Sequence, residues 1–326
     1  MSFSRDVKVE LCKNDIDDCC KKAFISAIIK MNSSLGINNN GMSINISFEN
    51  VTIIRYIYEI LKDIYDIETQ IIVSKQMKLK KNNVYTLKII DKAVEILDDL
   101  KLMDNFSFSH QIASEYQKNE CCKKSYIAGS FVAAGSVNSP KKSNYHLEIQ
   151  SQDEIHLDNL MNLIDSLNKQ KYPLSIHFKT IKRRNNFVLY LKSSREIVDF
   201  LNYIGATNCT FKFEDVRMQR DFVNSLNRMN NMDVANEQKV QKAAQIQIEN
   251  IHKINQYIGL DRIDIKLKEV ALMRLEHPEL SLNELSDLYN ENSIEKISKS
   301  GMNHRFRKIK EIANKINVRG DYDVKE

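Results

Sequence analysis

Apolar positions along the chain alternate between helical and two-residue spacing, and these changes outline a series of short elements. Phe3, Val7 and Leu11 fall at four-residue steps with Asp6 in the first turn, which predicts a short amphipathic helix packed on the first part of the chain. Residues 19–35, CCKKAFISAIIKMNSSL, predict a helix with almost no charge beyond its opening. Ile44, Ile46 and Phe48 alternate as a strand, and Ile54, Ile57, Leu61 and Ile64 return to helical spacing. Residues 69–79 and 84–89 alternate on either side of a Lys-Lys-Asn-Asn turn, and Ala93, Ile96, Leu97 and Leu100 close the unit as a helix.

The same order then recurs. Residues 121–137 read CCKKSYIAGSFVAAGSV, 102 positions after the first such stretch. Strands over 145–149, 174–181 and 187–191 and helices over 157–167 and 196–204 follow, with Arg183-Arg184-Asn185-Asn186 standing where Lys80-Lys81-Asn82-Asn83 stood before. A smooth helix needs an equally smooth neighbour, and its own copy is the simplest one. Gly129, Ala133, Ala134 and Gly135 in one helix, with Ser26 and Ala27 in the other, allow the backbones to approach closely.

Past residue 206 the pattern changes. Residues 213–228 mix charge and amide, and 229–236, MNNMDVAN, read as a polar linker. Val240, Ala244, Ile248, Ile251 and Ile258 then give a helix ending at Gly259. Three more helices follow. The first covers 266–276 and stops at His277-Pro278, and Ser281 with Glu284 forms a capping box for the second. Ser298 opens the third, which carries an apolar stripe of Met302, Phe306, Ile309, Ala313 and Ile316. Two short helices followed by a third with a basic outer face describe a helix-turn-helix.

Charge matters here by its location. The net charge of the 326 residues is only +5, yet 296–310 hold six Lys or Arg and no acid. On the third helix, Asn303, His304 and Arg305 are of the types that read base edges, and Lys299, Ser300, Arg307 and Lys308 are suited to phosphates, with Lys310 on the same DNA-binding face. The alternative is a three-helix bundle with a solvated basic face. A second basic set, Lys80, Lys81, His177, Lys179, Arg183 and Arg184, lies on the paired strands, either as a second nucleic-acid surface or as lysines guarding exposed sheet edges. The six cysteines lack the two-residue spacer of a zinc knuckle or redox motif, and the histidines do not cluster near them. They read as free thiols, with no metal and no cofactor expected. No apolar run approaches a membrane span and the opening residues lack a signal-peptide core, so a cytoplasmic, nucleoid-associated protein is expected.

The duplicated unit with the helix Ile127-Ala128-Gly129-Ser130-Phe131-Val132-Ala133-Ala134-Gly135 resembles the LAGLIDADG homing-endonuclease fold. The resemblance implies an α+β domain of two αββαββα halves forming a saddle. In active members an acid near the end of each motif binds the catalytic metal; here Asn32 and Ala134 stand at those places. The whole chain resembles the WhiA family, which joins a degenerate LAGLIDADG domain to an all-α helix-turn-helix domain. The residues that carry the likeness include Ser2-Phe3-Ser4, Gly135-Ser136-Val137, Leu275-Glu276-His277-Pro278 and Ser298-Lys299-Ser300-Gly301 with Asn303-His304-Arg305. Met31-Asn32-Ser33-Ser34 departs from the glycine-rich ending usual in the first motif.

The expected organisation is a LAGLIDADG-like domain over 1–222, with halves of about 1–104 and 105–222. A flexible linker over 223–236, a helix-turn-helix domain over 237–318 and a polar tail over 319–326 complete it. The resemblance implies a sequence-specific transcription regulator tied to cell division, chromosome segregation or sporulation, and not an enzyme. Its partner would be double-stranded DNA, with RNA polymerase or another regulator as a further one, and it would act as a monomer or weak dimer. The competing readings are an active LAGLIDADG endonuclease or RNA maturase, and a scaffold whose basic helix meets an acidic protein.

Overall fold

The computed structural model describes residues 2–38, 41–75, 83–104, 107–169 and 174–320, and the chain divides into two compact units, Met1–Arg220 and Asp221–Glu326. In the first unit, α1 (Phe3–Leu11) precedes a half built of α2 (Asp18–Asn32), β1 (Ser33–Asn38), β2 (Gly41–Phe48), α3 (Val51–Tyr65), β3 (Ile71–Lys75), β4 (Asn83–Ile89) and α4 (Ala93–Asp99). A small hairpin, β5 (Met103–Asp104) and β6 (Ser107–Phe108), leads to α5 (Ser114–Lys118). The second half is α6 (Glu120–Ala134), β7 (Gly135–Val137), β8 (Leu147–Ser151), α7 (Glu154–Asp165), β9 (Lys179–Arg183), β10 (Asn186–Leu191) and α8 (Ser194–Ile204).

The repeat read from the sequence is present in the topology. Each half has an antiparallel four-stranded sheet, ordered β1-β2-β4-β3 in one and β7-β8-β10-β9 in the other. Alternation sets the faces: Ile44, Ile46, Leu87 and Ile89 are buried under the helices, while Asn45, Ser47, Thr86 and Lys88 form the opposite, polar face. The two smooth helices, α2 and α6, pack directly on each other. Where they pack, a methyl built on Gly129 would lie 3.1 Å from Cβ of Ala27, its equivalent in the repeat, and well inside 3.0 Å of the Phe24 carbonyl oxygen. Glycine is therefore needed at 129 for space. A single apolar core runs through both halves from Val7 to Phe213.

The structure departs from the sequence-based elements in four places. Residues 33–35 and 135–137, expected to end the smooth helices, instead form β1 and β7, which follow directly on α2 and α6. Residues 174–178 are irregular, although Ile176 and Phe178 are buried and Ser175 and His177 exposed as the alternation required. The Asn168 side chain takes both the N–H and the carbonyl of Ile176, at 3.1 and 2.7 Å, in place of a neighbouring strand. Helix α1 packs on α6 and β7 of the second half as well as on α3 of the first, so it does not belong to one half.

The fourth departure concerns the expected flexible linker, which is helical. Helix α9 runs unbroken over Thr207–Tyr257, and 221–239 are exposed throughout. An all-exposed helix has no apolar periodicity to betray it, but no Gly or Pro interrupts the chain between Gly205 and Gly259. Glu10 caps its start, accepting from the backbone N–H groups of Asn208 and Cys209 at 2.6 and 2.9 Å. After Gly259, in the left-handed region at φ 88°, the second unit continues with α10 (Ile265–Glu276), α11 (Leu282–Asn292) and α12 (Lys299–Gly320). Its own core joins Ile251, Ile254, Leu267, Val270, Leu285, Tyr289, Met302, Phe306 and Ile309. The expected polar tail begins within α12, and 321–326 lie outside the described residues.

Candidate nucleic-acid interface

The three helices of the second unit are fixed at their ends by short polar side chains. Asp264 caps α10 through Lys266 N at 2.8 Å. Ser281 and Glu284 form the reciprocal box at the start of α11, at 3.3 and 2.7 Å. The Asn290 side chain accepts from Ile297 N at 2.6 Å and donates to its carbonyl at 2.9 Å, which sets the turn into α12. There Ser298 Oγ accepts from Gly301 N at 3.3 Å.

Arg274, in the apolar stripe of α10, is the largest fully buried side chain among the described residues. Its guanidinium donates to the carbonyls of His277, Pro278 and Leu280 and to Gln247 Oε1, and lies over the Phe306 ring at 5.5 Å. Burial lowers its pKa, the nearby Glu279 charge opposing. One buried cation thus holds the turn between α10 and α11 and touches the helix that carries the basic face.

On α12 the apolar stripe is buried and the remainder is open. Lys299, Ser300, Asn303, His304, Arg307, Lys308 and Lys310 are all exposed. Arg305 is placed differently: half-buried, it lies over the Tyr289 ring at 4.9 Å, and its guanidinium reaches the Lys266 carbonyl at 3.5 Å. It therefore braces α12 against α11 and α10. The helix N-terminus, with its unpaired N–H groups, lies beside Lys299 and Ser300, so backbone and side chains present the same positive sign.

At the foot of α2 and α6 neither Asn32 nor Ala134 offers a carboxylate. Asn32 donates to the Ser47 carbonyl at 3.0 Å. The acid lining the same cleft is Asp153, from the N-terminus of α7. Burial alone would push Asp153 up, but Lys30 at 2.7 Å, the backbone N–H of His156 and the His110 ring together hold it at about 2. Lys30 comes from α2 and is almost fully buried, so this ion pair ties one half to the other. A carboxylate already paired with a buried lysine and hydrogen-bonded by the His110 ring and a backbone N–H is poorly disposed to bind a hard divalent ion.

The second basic set is only partly assembled. Lys80 and Lys81 lie outside the described residues. His177, Lys179, Arg183 and Arg184 are exposed, but Arg183 pairs with Glu148 at 2.9 Å and His177 with Glu196 at 3.4 Å. One grouping escapes sequence reading altogether. Cys19 and Cys20 open α2, Cys121 and Cys122 open α6, and the four sulfurs lie within 4.8 Å of one another. The signal is the repeat itself, because equivalent positions meet where both face the seam between the paired helices.

Comparison with known proteins agrees with this architecture. Residues 18–103 match the WhiA N-terminal LAGLIDADG-like domain, 123–223 the WhiA LAGLIDADG-like domain, and 226–313 the WhiA C-terminal HTH domain. A probable cell division protein WhiA of Bacillus cytotoxicus is 43% identical over 327 residues, covering 100% of both chains. Its counterpart in Bacillus mycoides is 44% identical over 317 residues, 97% of each chain. Among solved structures, full-length DUF199/WhiA from Thermatoga maritima has the same fold, with a TM-score of 0.58 at 23% identity over 97% of this chain and 99% of that one. The duplicated α+β unit, the capped helical unit and full-length identity above two-fifths converge on one conclusion: this chain belongs to the WhiA family.

Proposed function

We propose that the chain is a sequence-specific DNA-binding regulator acting in cell division, with α12 as its recognition helix and a LAGLIDADG-like domain that does not cut DNA. The observation that carries this reading is the outer face of α12: seven exposed polar or basic side chains beside a positive helix end, in a stretch from 296 to 310 that contains no acid. Asn303 and His304 would read base edges, while Lys299, Ser300, Arg307, Lys308 and Lys310 would hold phosphates. The polar face of the first unit, with Lys179 and Arg184, would add nonspecific contacts or receive a protein such as RNA polymerase. The names of the relatives support the link to cell division, and the absence of carboxylates at 32 and 134 supports binding without hydrolysis.

The test is a gel shift of the full chain on sheared genomic DNA with magnesium present. Selected fragments should shift intact. Arg307→Ala/Lys308→Ala should weaken binding on every fragment and lower the slope of log affinity against log salt by about 2, at about 0.9 for each phosphate that is no longer neutralised. Asn303→Ala/His304→Ala should instead flatten discrimination between fragments. Cut fragments, or binding unmoved by both variants, would overturn the reading.

A further inference from the structure

The four cysteines at the start of α2 and α6 form a site that the DNA-binding reading does not use. Cys19 and Cys121 are exposed, Cys20 and Cys122 buried, and each pair occupies the same place in the first turn of its helix. Within each pair the sulfurs lie 3.9 and 4.0 Å apart, and no separation in the group exceeds 4.8 Å. A tetrahedral zinc ion with Zn–S bonds of about 2.3 Å requires sulfur separations of about 3.8 Å. An iron–sulfur cluster, with its own sulfides between the irons, would hold its ligands further apart. Four soft donors around one point select zinc over magnesium or calcium.

The surroundings suit the charge such a centre would carry. Zinc bound by four thiolates displaces four thiol protons and leaves two net negative charges. Both helices direct their positive ends at the group, and the cleft that Cys20 and Cys121 line also carries Lys124, with Asp15 and Asp17 as its acids. Ser125 lines the same cleft as Cys20 and Cys121 and brings a hydroxyl to the surroundings of the sulfurs.

We propose that Cys19, Cys20, Cys121 and Cys122 form a structural zinc site that fastens the two halves of the LAGLIDADG-like domain at the opening ends of their paired helices. All four positions are filled by protein, so the ion has no open place for substrate. The opposite ends of those helices carry Asn32 and Ala134. Each helix has 15 residues, so the clasp sits about 20 Å from the old catalytic foot.

The test uses the full chain, reduced and stripped of metal, then titrated with zinc or cobalt. One ion per chain should bind. Cobalt should give thiolate charge-transfer bands and the intense visible bands of tetrahedral coordination. Zinc should protect residues 19, 20, 121 and 122 together from alkylation, a chelator should restore their reactivity, and the unfolding midpoint of the first unit should rise by about 5 °C. Cys19→Ser/Cys121→Ser should abolish binding, while Cys12→Ser and Cys209→Ser should keep it. Chelator reversal on the unaltered chain keeps the test decisive should the double variant fold poorly. Substoichiometric metal, an octahedral cobalt spectrum, or binding that survives the double variant overturns the proposal. An interhelical disulfide that forms in reducing buffer and excludes zinc does the same.

Discussion

Replacing Gly129 by alanine tests how the two halves are joined. In an ordinary helix interior this change is stabilising by about 1 kcal/mol, because glycine has more backbone freedom to lose. Here the new methyl meets the Phe24 carbonyl oxygen, which belongs to a helix backbone and cannot turn aside. A comfortable carbon–oxygen separation of about 3.3 Å requires α2 and α6 to part locally by about 1 Å, which forfeits between a quarter and a half of the dispersion energy between facing atoms. Overpacking of this kind costs about 1–3 kcal/mol, and a backbone obstacle places it at the upper end. The net expectation is a loss of about 2 kcal/mol after the propensity gain. Urea unfolding of the full chain by circular dichroism gives the magnitude, and peptide-resolved hydrogen exchange should place lost protection in α2 and α6 while α11 and α12 keep theirs. Ala27→Gly on the same background relieves only the 3.1 Å methyl approach, so it should not rescue the variant. Equal or greater stability of Gly129→Ala, or full rescue by Ala27→Gly, would refute the close-packing argument.

Further outcomes follow from buried polar groups. His156 is fully buried beside Tyr126, and burial lowers its pKa to about 4, with the Lys30 charge adding to the effect and Asp153 and the His110 backbone opposing it. The unfolded chain takes up this proton near pH 6.5 and the folded one only near 4, so stability should fall as pH drops through that window. The loss is bounded at about 3 kcal/mol, and His156→Leu should flatten the urea midpoint against pH over the same range. Arg274→Met leaves the carbonyls of His277, Pro278 and Leu280 without their donor and should cost the second unit about 4 kcal/mol, read as exchange protection lost in α10 to α12. Arg305→Ala should lower the stability of the second unit by about 1 kcal/mol, because no guanidinium then lies over the Tyr289 ring, whereas Arg307→Ala should leave stability unchanged and weaken only DNA binding.

Much of this structure is legible in the chain because local signals and tertiary packing agree. The repeat, the strand faces, the capping box at Ser281 and the stripe of α12 all follow from spacing and residue type. The unseen parts depend on what lies across an interface between elements. Arg305 looks from its own helix like one more outward base; only the crossing of α11 shows that it lies over Tyr289. Helix α9 is hidden because every residue from 221 to 239 meets solvent, so no face has to be apolar. The cysteine group is hidden by spacing rules that apply to one chain segment, whereas here duplication supplies the second pair of ligands.

The pairing of α2 with α6, and the capping of α9 by Glu10, also constrain how the protein folds as it is made. Helix α2 leaves the ribosome with an apolar surface whose match lies 102 residues further on, and Glu10 finds its amide partners 198 residues later. The first half cannot be completed and stored while the second is synthesised. Its smooth helix stays exposed until α6 arrives, so folding is governed by distant closure and its aggregation-prone interval lasts for the translation of an entire repeat. A gene duplication that made the two halves alike thereby made neither of them a finished domain.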